Sequence, residues 1–151
     1  MAKAVKHLQI IVSARVNWFF KADEQDHFEA WIRDVIDRQG MEIMAGPTSC
    51  HLDEPGLEGW SGNALIKTSD VAVHVWDAED PIRLEFDMYT CGDLNELAIF
   101  QDLMLFGAQR MHILILDREN GIKVVEDKIV YAMPGVPLGT RDDYFEERKC
   151  Y

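Results

Sequence analysis

The chain has 151 residues, 48% of them hydrophobic and 28% charged. That is an ordinary globular composition for about one domain, and it excludes a fibrous or disordered chain. The formal net charge is -12, from 15 basic against 27 acidic residues, which disfavours nucleic acid and anionic membrane surfaces and leans towards a cationic partner or substrate.

Residues 5–16 read as a buried strand, a short apolar run rich in β-branched residues. A helix follows. Phe28, Trp31, Ile32, Val35 and Ile36 form one apolar stripe, Asp26 and Glu29 resemble a capping box, and Gly40 supplies the stop. Residues 41–45 suggest a second strand, and residues 47–59 a loop. Residues 63–68 read as a strand. Val71, Val73 and Val75 define the next, with Ala72, His74 and Trp76 on its other face. After a turn at 77–81, Ile82, Leu84, Phe86 and Met88 define an antiparallel strand with one wet face. Cys91-Gly92 ends this meander. Asp93 with Glu96 suggests a capping box for a second helix, whose face is Leu97, Ala98, Gln101, Met104 and Leu105 and whose stop is Gly107. Residues 111–116 read as a last core strand. The order β-α-β, three antiparallel β, α, β implies an α+β two-layer sandwich: one mainly antiparallel sheet with helices on one face. Residues 1–119 form the domain by this reading. Residues 120–151, polar with Pro134 and Pro137, form an extension that packs on it or on a neighbouring subunit.

Three cysteines, at 50, 91 and 150, give an odd count with no CxxC pair, against a disulfide framework or a closed zinc site. Cys50-His51 lacks a second ligand pair, so no metal is expected. The charged start and the short apolar run at 8–12 do not make a signal or a span. A cytoplasmic location is the simplest reading. No GxGxxG, P-loop, HExxH or GxSxG occurs. Singly, each remaining candidate has a bland reading. His74 can be a satisfied structural histidine, Cys91 a small buried hydrophobe, Ser61 and Ser69 turn residues, and Trp18-Phe19-Phe20 a core or interface cluster.

Together they form a pattern. Gly59-Trp60-Ser61-Gly62 precedes Thr68-Ser69-Asp70-Val71-Ala72-Val73-His74-Val75-Trp76-Asp77-Ala78, and Tyr89-Thr90-Cys91-Gly92 follows. The sequence resembles the bacterial S-adenosylmethionine decarboxylase proenzyme family, which typically reads G-V-S-G, E-S-H-I-S-I-H-T-W-P-E and F-T-C-G. Val5-Lys6-His7-Leu8 echoes that family's opening G-R-H-L. The resemblance covers residues ~5–118, with one two-residue insertion before Cys91.

The resemblance implies a self-processing, pyruvoyl-dependent decarboxylase of S-adenosylmethionine in spermidine, hence polyamine, biosynthesis. The Ser69 hydroxyl attacks the Thr68 carbonyl, the amide becomes an ester, and elimination leaves a pyruvoyl group on the chain that starts at Ser69. Ser61 polarises the intermediate and His74 acts as base, a role that a group titrating near neutrality suits. The substrate amine forms a Schiff base to the pyruvoyl ketone, carbon dioxide leaves, and Cys91 returns the proton. A thiol, mostly protonated at neutral pH, can do so. The family also implies a homodimer.

Three positions depart from the family pattern. Thr68 stands for Glu, Asp70 for His, and Ala78 for the carboxylate that grips the ribose hydroxyls. Asp77 and Glu79 flank it and are the candidate substitutes, since a bidentate carboxylate is a strong specificity device. Two alternatives stay open. One is an uncleaved, non-enzymatic homologue that binds a ligand or pairs with a paralogue. The other is a pyruvoyl-dependent decarboxylase of another amino acid, such as ornithine or arginine.

Overall fold

The computed structural model describes residues 6–149. Its elements are β1 (Leu8–Val16), α1 (Gln25–Arg38), β2 (Ile43–Leu52), β3 (Gly59–Ile66), β4 (Ser69–Trp76), β5 (Ile82–Thr90), α2 (Glu96–Met104), β6 (Arg110–Asp117), β7 (Lys123–Tyr131) and α3 (Arg141–Arg148). The seven strands form one antiparallel sheet in the order β2-β3-β4-β5-β1-β6-β7. The architecture is the α+β sandwich that the element order implies.

Burial alternates along the central strands, so each has one face in the core and one facing away from the helices. Val73, Phe86, Val12 and Ile113 follow one another across the sheet in register, all buried. The α1 stripe lies on this face, with Phe28, Trp31, Ile32, Val35 and Ile36 buried. Burying each such side chain contributes roughly 1.5–3 kcal/mol. Gly62 makes the close approach possible, because a Cβ there would stand 2.7 Å from the Phe28 ring. The opposite sheet face carries polar pairs, among them Gln9 with Asp87 and Ser13 with Glu85, each at 2.8 Å.

Several local expectations change. β1 starts at Leu8 and is buried on one side only; Val5 lies outside the described residues. The strand expected at 63–68 starts at Gly59 and stops at Ile66, which leaves Lys67 and Thr68 as the turn. β2 runs on through Pro47 to Leu52, so the loop spans only 53–58. It is an edge strand with register shifts between Ile43 and Thr48, where a residue without an N–H is tolerated.

Neither expected capping box forms. The α1 cap is Glu24, without a side-chain cap bond, and Glu29 instead accepts from Ser49 Oγ at 2.9 Å. The α2 cap is Asn95, which accepts from the Ala98 N–H at 3.1 Å, while Glu96 pairs with Lys128. The buried residues of α2 are Ala98, Ile99, Asp102 and Leu103, and Leu97 is exposed. Asp102 disguises this stripe, because it is a carboxylate buried by pairing with Arg38 of α1.

Residues 120–149 hold two elements with no expected counterpart. β7 hydrogen-bonds along β6. α3, held at its start by a Thr140–Asp143 capping box, buries Tyr144 against Trp18, Phe20 and Phe106. Arg141 pairs with Glu24 at the start of α1.

Candidate active site

Ser61 and His74 meet because β3 and β4 pair in register there. The glycine before Trp60 is required: at Gly59, with φ +147°, a Cβ would stand 1.7 Å from the Val75 carbonyl oxygen. That close crossing fixes β3 against β4. Ser61 Oγ lies 2.9 Å from His74 Nδ1 on the face turned away from the helices. Cys50 is the β2 partner of Ser61, and Ser49, Cys50, Asn63 and His74 help to line a shallow cavity of about 340 Å³. Cys50 is exposed while His51 is engaged with Asp77. Among the described residues no group of three or more His, Cys, Asp or Glu is placed to hold a metal.

The second cluster sits at the β3–β4 hairpin. Ile66 and Ser69 are paired, which leaves Lys67 and Thr68 as a two-residue turn. Such turns call for positive φ, and Thr68 supplies it at φ 61°. A β-branched residue there is strained by steric conflict between its side chain and the backbone. Because β4 pairs with β5 through Asp70 and Tyr89, the chain leaving β5 passes directly beside Ser69. The Cys91 N–H donates to Ser69 Oγ at 3.1 Å, and Ser69 Oγ donates to Cys91 Sγ at 3.5 Å. The Cys91 thiol donates to the Thr68 carbonyl oxygen at 2.8 Å. A cleft of about 510 Å³ opens here, lined by Gly40, Glu42, Lys67, Ser69, Cys91 and Asp93 among others.

The expected residues thus form two pairs, Ser69 with Cys91 and Ser61 with His74. His74 lies five positions after Ser69 along β4, about 16 Å of strand, and the two point to opposite faces. Asp77 and Glu79 lie at the His74 end. Asp77 is 2.7 Å from His51 Nε2, and Glu79 pairs with Arg15. Glu42 and Gly40 reach the cleft because the Lys67 N–H donates to the Glu42 carbonyl at 3.0 Å. No motif marked them, since that contact joins segments 25 residues apart. The strain at Thr68 was accessible in principle: a two-residue hairpin without Gly or Asn forces one of its residues into the left-handed region.

Fold and site together define an α+β sandwich with a strained peptide link beside a serine hydroxyl and a thiol. The sequence matches the model of the S-adenosylmethionine decarboxylase family over residues 19–119. The chain belongs to that family, whose members act on S-adenosylmethionine as decarboxylases. The match includes the whole run from Gly59 to Gly92 but not the Val5–Leu8 echo. No curated protein sequence matches the chain.

Proposed function

We propose that this chain is a self-processing, pyruvoyl-dependent decarboxylase of S-adenosylmethionine that serves spermidine synthesis. The observation that carries the reading is the Thr68-Ser69 link. Its carbonyl sits on a residue at φ 61°, and the hydroxyl that would attack it lies against Cys91. The residues fit the group: Ser69 is its precursor, and a cleft of about 510 Å³ opens at the new chain end. A pyruvoyl group supplies an electron sink for loss of the substrate carboxyl. The chain's own residues do the rest. Ser69 is the nucleophile and the pyruvoyl precursor, Cys91 returns the proton to the substrate carbon, Ser61 and His74 assist processing, and Asp77 and Glu79 bind substrate hydroxyls.

The separation of the pairs supports a homodimer. The sheet face away from the helices carries the partly exposed Ile11, Leu114 and Leu116 beside the exposed Val124 and Ile129. A second copy packed there, with its β4 running the other way, places the His74 end of one copy near the Ser69 end of the other. Self-processing in this dimer uses the partner subunit's Ser61 and His74. Among the described residues no helix is long and apolar enough to cross a membrane. The cysteine pattern, with no CxxC pair, is what supports a cytoplasmic enzyme.

One observation favours a different substrate. Asp77 and Glu79 already have cationic or imidazole partners, and Ala78 offers no carboxylate. Release of labelled carbon dioxide from carboxyl-labelled S-adenosylmethionine, ornithine and arginine separates the cases. The expected result is release from S-adenosylmethionine alone. Release from ornithine or arginine keeps the machinery and changes the substrate. Ligand binding by an intact chain without release marks the non-enzymatic homologue.

A further inference from the structure

Resting on the self-processing reading, we propose that the Cys91 thiol is the proton relay of the cleavage step itself. It takes the hydroxyl proton of Ser69 while giving its own proton to the Thr68 carbonyl oxygen. This role is separate from protonating a substrate, and it acts before any pyruvoyl group exists.

The geometry carries the argument. Attack of a hydroxyl on an amide needs two proton movements, one off the nucleophile and one onto the developing oxyanion. Both ends of that transfer touch one sulfur atom. Ser69 Oγ donates to Sγ at 3.5 Å, and Sγ donates to the Thr68 oxygen at 2.8 Å. The Cys91 backbone N–H, 3.1 Å from Ser69 Oγ, fixes the hydroxyl from another side. The imidazole of the same chain is about 16 Å away along β4. A thiol is both a donor and an acceptor, so one group can serve both ends.

The step balances. The Ser69 Oγ–carbon bond forms as the carbonyl π bond opens. The Oγ proton passes to Sγ, and the Sγ proton passes to the former carbonyl oxygen. The thiol is unchanged at the end, and the five-membered ring is uncharged. The ring then breaks its carbon–nitrogen bond, and its hydroxyl proton passes to nitrogen. An ester between Thr68 and Ser69 remains, with a free amine on Ser69. No oxidant, reductant or metal takes part.

The test follows cleavage by intact mass in freshly made full-length chain, comparing wild type, Cys91→Ala, Cys91→Ser and His74→Ala. Neutral hydroxylamine, which cuts esters and spares amides, reports the acyl shift separately from the later elimination. The relay predicts that Cys91→Ala forms fragments at least ~100-fold more slowly than wild type and resists hydroxylamine. His74→Ala, blocked later, is cut by hydroxylamine. Cys91→Ser keeps a hydroxyl able to donate and accept, so it cleaves faster than Cys91→Ala. If Cys91→Ala fails to fold by circular dichroism, the Cys91→Ser rate decides alone: a ~100-fold loss overturns the relay. Cys91→Ala that cleaves as fast as wild type, or Cys91→Ser no faster than Cys91→Ala, overturns the relay and leaves the self-processing reading standing. Wild type that never cleaves overturns that reading itself.

Discussion

Thr68 carries a branched side chain at φ 61°, a conformation that costs an L-residue about 1–2 kcal/mol. Glycine adopts the same backbone without that cost. Thr68→Gly is therefore expected to raise precursor stability by about 1 kcal/mol in urea unfolding. It should also slow cleavage several-fold, because the ground state is relaxed before the carbonyl is attacked. Faster cleavage, or a less stable precursor, would show that the turn stores no useful strain. Ser61, Ser69, His74 and Cys91 were all legible in the sequence as a set of spacings. Their division into two pairs is harder to see, although the spacing of five between Ser69 and His74 already sets them on opposite faces of a strand. Which groups stand beside each pair depends on strand partners, which spacing does not reveal.

At the scale of elements, Asp102 shows how burial hides a pattern. Burial, acting against the pull of Arg38, pushes its carboxyl up from 3.8 to about 6. A carboxyl that holds its proton more tightly folded than unfolded contributes stability below pH ~4 and loses it as pH rises through about 6. The cost above that range is on the order of 3 kcal/mol. Asp102→Asn cannot titrate. The stability of wild type minus that of Asp102→Asn should therefore fall by roughly this amount between pH 4 and pH 7 in urea titrations. A flat or rising difference would contradict the assignment. Period-2 alternation made β4 and β5 plain in the sequence, and the α1 stripe is unbroken. α2 stands where the sequence puts a second helix, but its buried face differs from the expected one because a buried acid interrupts the apolar stripe, and α3 has no expected counterpart because Tyr144 is its only fully buried side chain. Tyr144 packs against Trp18 and Phe20 at ring distances of 5.2 and 5.4 Å. Tyr144→Ala should lower unfolding free energy by about 3 kcal/mol while leaving the cleavage rate within a few-fold of wild type. A loss below 1 kcal/mol would mean that α3 does not cap the core.

At the scale of the molecule, the two pairs at opposite ends of β4 make one copy an incomplete catalyst in the proposed dimer. Ser69→Ala and His74→Ala should each stay uncleaved alone. Produced together, they should give cleaved His74→Ala chains, because the partner subunit's His74 is then intact in the mixed dimer. No cleavage in the mixture, or a monomer by light scattering, would remove the dimer from the account. Neither pairing nor partner face is written in the residue pattern, since an exposed apolar position on a strand reads the same whether water or another copy covers it. The most direct measurement is the intact mass of purified protein after prolonged incubation. The account predicts two chains, of 68 and 83 residues, with the longer blocked at its start by a ketone that an amine and cyanoborohydride reduce and trap. A single species at 17.3 kDa with nothing to trap would contradict it.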